Sequence, residues 1–264
     1  MKIGFIGLGN MATAMIGGIL GKGLYTKADI IGSDKMQATA DNAKEKFGIT
    51  TYANNKEVVK NADIIVFAVK PIFLPEVIAE IKDEMTMDKL IISIVAGKSI
   101  AWIEEAFDKQ IRLVRCMPNT PAFVGEGCTA ICLNSSATKE DEKLALDIMN
   151  SFGKASVVME HLMDAVVGVS GSSPAYVFMF IEAMADAAVL AGMPRAQAYE
   201  FAAQSVLGSA KMVLETGKHP ADLKDMVCSP GGTTIEAVKV LEEKGFRAAV
   251  IDAIGACVEK SKNL

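Results

Sequence analysis

No two basic residues are adjacent anywhere in the sequence, and Lys plus Arg number 27 against 32 Asp plus Glu, a formal charge of -5. A basic track for phosphates is therefore missing, and no nucleic-acid partner is expected. Histidine is scarce: the two residues, His161 and His219, lie far apart without ligand partners at helical or loop spacing, so no metal is expected. The five cysteines (Cys116, Cys128, Cys132, Cys228 and Cys257) are odd in number, scattered and free of any C-x-x-C. With no secretory leader legible either, a reduced, cytoplasmic protein fits best. Long uninterrupted apolar runs are also lacking. The stretch from Ala175 to Met193 imitates a membrane span, but Glu182 and Asp186 interrupt it and would be costly in lipid, so a buried helix of a soluble protein is expected and no membrane partner.

What is present is the material of an ordinary globular protein: 264 residues, of which 51% are hydrophobic and 22% charged. The first half alternates short β-branched runs with amphipathic stretches. Strands are expected at Lys2 to Gly7, Asp29 to Ser33, Asp63 to Val69, Leu90 to Val95, Ile111 to Cys116, Cys128 to Leu133 and Ala155 to Met159. Runs such as Ile64-Ile65-Val66-Phe67 leave no polar face, as parallel strands covered on both sides by helices require. The fold class is α/β, an N-terminal Rossmann-type doubly wound sheet over residues 1–160 followed by an all-helical domain over 161–264. In that second half, breaks fall at Gly192-Met193-Pro194, Thr216-Gly217, Ser229 to Gly232 and Lys244-Gly245. Its helices are apolar nearly all round, more than one small bundle can hide, which calls for a partner subunit.

The strongest local signal is Gly7-Leu8-Gly9-Asn10-Met11-Ala12, set between a strand and a helical run that ends near Gly21. The first Gly permits a tight turn, the second lets the backbone reach a pyrophosphate, and Ala12 allows close packing of helix on strand. Dinucleotide binding follows. After the second strand stand Ser33, Asp34 and Lys35, where the adenosine ribose is read. An acidic residue there favours a 2'-hydroxyl and a basic one a 2'-phosphate, so the choice between NADH and NADPH stays open. Gly97-Lys98-Ser99 is not the end of a P-loop, because Ile92 stands where the first glycine is needed, and no G-x-S-x-G nucleophile motif exists. Met117-Pro118-Asn119-Thr120-Pro121 is a rigid turn. Gly171-Ser172-Ser173-Pro174 and Ser229-Pro230-Gly231-Gly232-Thr233-Thr234 each set small residues before a helix, where free N–H groups hold carboxylates well.

Taken together, these segments resemble the pyrroline-5-carboxylate reductases. The resemblance runs from the glycine motif through Ala68-Val69-Lys70-Pro71, the 117–121 turn, Gly171 to Tyr176 and Leu223-Lys224-Asp225 to Ser229–Thr234, the most specific segment. One departure is Ser173, where the family commonly has Gly. The resemblance implies an NAD(P)H-dependent reduction of 1-pyrroline-5-carboxylate, a small cyclic imine, to L-proline. It places the cofactor on Gly7, Leu8, Gly9, Asn10, Met11, Ala12, Ser33, Asp34, Lys35, Asn55, Ala68, Val69, Lys70, Pro71, Ile94, Val95 and Ala96. It places the substrate on Ser229, Gly231, Gly232, Thr233 and Thr234, with the Thr234 hydroxyl at the ring nitrogen as the catalytic group. It also implies a homo-oligomer, dimers with interleaved helical domains assembled into a ring. Hydride chemistry belongs to the cofactor, and the imine can arrive protonated, so a site of Thr, Ser, Gly and backbone suffices. The competing readings are a related imine or 3-hydroxyacid oxidoreductase, whose catalytic Lys has no counterpart between Gly168 and Val177, and a dinucleotide sensor without turnover.

Overall fold

A computed structural model describes residues 1–263. The strands are β1 (Ile3–Ile6), β2 (Ile30–Ser33), β3 (Thr50–Tyr52), β4 (Ile64–Phe67), β5 (Leu90–Ser93), β6 (Arg112–Met117), β7 (Gly127–Leu133) and β8 (Gly153–Val157), in spatial order β3-β2-β1-β4-β5-β6-β7-β8. The strands from β3 to β6 in that order all pair in parallel, the doubly wound arrangement. Helices α1 (Asn10–Gly21), α2 (Gln37–Phe47), α3 (Asn55–Asn61), α4 (Leu74–Ile81), α5 (Ile100–Phe107) and α6 (Lys139–Asn150) supply the crossovers. Side chains alternate strictly between the two faces: Ile3, Phe5, Ile64, Val66 and Ile92 join one core, while Ile6, Ile65, Phe67 and Ile91 join the other. The apolar runs without a polar face are thereby explained.

Two features depart from the sequence expectation. β3 was not expected; it is a three-residue edge strand, Thr-Thr-Tyr, half exposed and without an apolar run to announce it. β7 lies antiparallel to β6, because the short link from Pro118 to Glu126 has no helix long enough to carry the chain back across the sheet.

At the far end, Arg112 on β6 grips Asp141 on α6 through Nη2 and through Nε at 3.0 Å. Asp141 also completes a capping box with Thr138, accepting its N–H at 2.8 Å. Burial alone would raise this carboxyl, but the Arg112 and Thr138 hydrogen bonds outweigh it and hold the pKa below the ordinary value. The sign is that of a stabilising acid: the contribution is present above the unfolded pKa and lost as pH falls through the lowered folded value. With only 3% of its side chain exposed, Asp141→Ala should cost about 2 to 4 kcal/mol near pH 7. Thermal melts at neutral pH and near pH 3 check this, since the gap to the parent protein must shrink in acid.

Beyond β8 the described chain is helical, with α7 (Met163–Val166), a five-residue π turn (Val167–Gly171), α8 (Ser173–Leu190), α9 (Arg195–Thr216), α10 (Pro220–Val227), α11 (Thr233–Glu243) and α12 (Phe246–Lys262). Two compact units result: Met1–Ser172 together with the residues from Cys257 on, and Ser173–Ala256. Residue 160, the boundary expected from the sequence, lies inside the first unit because Met163 and Val166 pack into the lower core of the sheet. In the second unit α8 packs on α9, and Phe180 meets Phe246 with ring centroids 6.1 Å apart. Within one chain the helix expected to be buried is largely open: Ala185 is the one buried residue of α8, while Phe178 is 63% and Met179 69% exposed, which leaves its cover to the partner subunit expected above. Apolar residues on every face of α8 outnumber the positions that α9 and α12 cover.

Candidate active site

In the first unit the carboxyl ends of β1, β2, β4 and β5 are brought level by the register, which pairs Ile6 with Ser33 and Phe67, and Phe67 with Ser93. Residues 7–12, 33–35, 68–71 and 94–96 therefore leave the sheet at one edge. Gly7 turns the chain with φ +94°, and a Cβ there would stand 2.6 Å from the Ala68 carbonyl oxygen. Gly9 opens α1 with no side-chain cap, and a Cβ on it would meet nothing within 4 Å. The first N–H taken up inside α1 is that of Thr13, donated to Gly9 O at 2.9 Å, which leaves the N–H groups of Asn10, Met11 and Ala12 for an anion. No acidic residue stands in that first turn. This cradle fits the pyrophosphate of a dinucleotide. Leu8, Ala12, Ser33 and Val95 are buried in the cores, so their part is played by backbone.

Gly7→Val adds a branched side chain where both the backbone angle and the Ala68 carbonyl forbid one. Dinucleotide affinity is expected to fall at least about tenfold and the melting temperature by several degrees. Nucleotide fluorescence titration and a thermal melt read the two effects separately.

The turn after β2 is held from below. The Ser33 hydroxyl donates to Asn55 Oδ1 at 2.7 Å, and Glu80 on α4 accepts from both Asn55 N (3.1 Å) and Asn55 Nδ2 (2.6 Å). Asp34 accepts the Leu8 N–H at 2.8 Å and the Met36 N–H at 2.9 Å, tying the glycine turn to the end of β2. Asp34 and Asn55 are among the residues expected from the sequence; Glu80, which the structure adds to this network, is not. Its signal was weak: an acid on an amphipathic helix, spaced by four from Glu76, is indistinguishable from a solvated one until the fold sets it under Asn55.

The 117–121 turn is a brace. Asn119, buried, accepts the Cys128 N–H at 2.7 Å and donates from Nδ2 to the Ser170 carbonyl at 3.0 Å, fixing the π turn that leads into α8. At the other end of that segment, Ser172 N donates to Val167 O at 2.8 Å.

The 229–234 loop belongs to the second unit. Gly231 has φ +67°, and Gly232 N donates to Ser229 O at 3.0 Å, closing a tight turn. Ser229 Oγ occupies the space beside Gly232, so a side chain there would have to displace it. Gly232 then opens α11 without a side-chain cap, leaving the N–H groups of Thr233 and Thr234 unclaimed inside the helix. Thr234 is half-buried in the second position of α11 and does not cap it. Its hydroxyl has no hydrogen-bond partner among the described residues. His219, by contrast, serves structure: its Nδ1 accepts the Ala221 N–H at 3.2 Å and caps α10.

A family model described as "Pyrroline-5-carboxylate reductase dimerisation" matches residues 160–264, and one described as "NADP oxidoreductase coenzyme F420-dependent" matches 2–97. A pyrroline-5-carboxylate reductase of Escherichia coli (strain K12) is 55% identical over 100% of this chain and 98% of its own. A pyrroline-5-carboxylate reductase structure from Coxiella burnetii is 38% identical with a TM-score of 0.92, covering 99% of this chain and 97% of that one. The Plasmodium falciparum pyrroline carboxylate reductase with NADP bound is 35% identical with a TM-score of 0.89, covering 100% and 97%. Similarity of this depth, carried from the first strand to the last helix and including both loops described above, means that the chain belongs to the pyrroline-5-carboxylate reductase family.

Proposed function

We propose that this chain reduces 1-pyrroline-5-carboxylate to L-proline with NAD(P)H as cofactor. Family membership over the whole of this chain carries the reading, and the geometry described above supports the following roles. The reduced nicotinamide, when bound, supplies a hydride to the imine carbon, and the ring nitrogen ends as the amine with one proton from the already protonated imine. The protein's task is placement. Residues 7–12 hold the pyrophosphate on the open start of α1, residues 33–35 and Asn55 the adenosine ribose, and the backbone of 68–71 and 94–96 the nicotinamide side. The substrate carboxylate takes the free N–H groups of Thr233 and Thr234 at the start of α11, beside Ser229, Gly231 and Gly232. The Thr234 hydroxyl oxygen, with no internal partner, accepts the N–H of the protonated ring nitrogen and fixes the imine for attack.

The working unit is a homo-oligomer, a dimer with interleaved helical units that assembles further into a ring. The exposed apolar faces of α8 and α9 support this. Glu160–Leu190 is long and apolar enough to cross a membrane. Glu182 and Asp186 lie within it, and Asp186 is ion-paired to Arg195, so a second copy of the chain, with its own polar groups, suits this face better than lipid. The five free cysteines and the acidic net charge fit a cytoplasmic enzyme without a nucleic-acid partner.

Consumption of NADH and NADPH at 340 nm with pyrroline-5-carboxylate, set beside oxidation of 3-hydroxyisobutyrate with NAD+ and NADP+, tests the reading. Turnover of the hydroxyacid alone would replace it with the dehydrogenase reading. Binding of the cofactor with no turnover of either would leave a sensor.

A further inference from the structure

In a doubly wound sheet of this strand order the adenosine ribose is read at the end of the second strand. Here that position holds Asp34, and the two backbone bonds it accepts, from Leu8 N and Met36 N, use one lone pair of each carboxylate oxygen and keep the group from swinging away. A free lone pair remains on each oxygen, suited to a hydroxyl donor. A phosphate has no proton to offer at neutral pH beyond a fraction of its second ionisation, and would meet a fixed negative charge.

The surroundings point the same way. Glu80 and Asn54 already take the N–H groups of Asn55 and Glu57 at the start of α3, so a phosphate there would displace a bonded side chain and face the Glu80 carboxylate. Lys35 is the one cation of the turn. Its Nζ lies 3.4 Å from Glu76 Oε1 and 5.6 Å from the centroid of the Phe73 ring, so its charge is offset by a neighbouring acid. The contacts of this turn thus bring together three acids, Asp34, Glu76 and Glu80, and one cation, Lys35.

We infer that Asp34 is the specificity-determining residue of the cofactor site and that it selects NADH, with a 2'-hydroxyl, over NADPH, with a 2'-phosphate. The inference rests on the reading of residues 7–12 and 33–35 as the dinucleotide site. Asp34 has a second task as a positioning residue, since the same carboxylate holds the glycine turn through Leu8 N. Removing it therefore alters both the fold of the turn and the choice of cofactor, and the test has to separate them.

The purified full-length protein is titrated with NADH and with NADPH by nucleotide fluorescence in the absence of any imine, and kcat/KM is measured with each. NADH is expected to bind at least about tenfold more tightly. Asp34→Ser should move the ratio of the two affinities at least about tenfold toward NADPH, with a lower melting temperature from the lost Leu8 bond. Asp34→Asn keeps an amide oxygen for Leu8 N and removes the charge, so it should shift the ratio in the same direction while keeping more of the melting temperature. Tighter binding of NADPH by the parent protein, or a ratio unmoved in both variants, overturns the inference and leaves the reductase reading standing. Failure of both nucleotides to bind overturns the two together.

Discussion

Thr234→Ala is expected to lower kcat/KM for the imine roughly 10- to 100-fold while leaving cofactor affinity within about twofold. One aligned hydrogen bond at the reacting nitrogen in a closed site is worth about 1 to 3 kcal/mol, and that sets the range. The structure sharpens the test. Because Gly232 opens α11 and Thr234 makes no bond inside the described chain, the Ala variant has no cap to lose, and its melting temperature should stay within a degree or two. A rate loss without a stability loss is therefore the expected signature. Thr234→Ser keeps a hydroxyl and should recover most of the rate. An Ala variant with full turnover would remove Thr234 from the mechanism.

Phe178→Asp combined with Met179→Asp places two charges on exposed apolar surface of α8. Burying either charge unpaired against a partner subunit costs several kcal/mol, enough to move an oligomer to a monomer at micromolar concentration. Sedimentation should then find a species near 28.0 kDa. Activity should fall at least about tenfold, because helices apolar all round lose the cover that holds them in place. An unaltered sedimentation coefficient would show that this face lies outside the interface.

The sequence already carried the sheet, and the reason is chemical: four-residue runs such as Ile64–Phe67 are buried on both faces, which only a covered parallel strand allows. The breaks in the helical half were equally plain, because glycine at Gly192, Gly217, Gly231 and Gly245 takes a positive φ where each helix stops or turns. β3 was illegible, since three half-exposed residues on an edge leave no pattern. The cover over α8 was only half legible: apolar composition says that a surface is covered, not by which chain, and within one chain Phe178 and Met179 stay exposed. In the turn after β2, adjacent charges of opposite sign at Asp34 and Lys35 left the choice of cofactor open. Only the bonds to Leu8 N, Met36 N and Glu76 show which charge is held and which is offset, and those partners are 26, 2 and 41 residues away.

Residues 173–256 leave the first unit and the chain then returns to it, so in topological terms the helical unit is an insertion. The points of departure and return touch, with Cys257 Sγ donating to Ser172 Oγ at 3.2 Å, and Ser261 Oγ donates to Asp164 Oδ1 at 2.7 Å across 97 residues. Those contacts close a long loop and carry its entropy cost, so they form late in folding. During synthesis the sheet can assemble early, yet this closing contact has to wait until the whole helical unit has left the ribosome. Docking of the returning segment onto Asp164 and Ser172 thus becomes a checkpoint, passed only after the apolar helices are complete and ready to meet a partner.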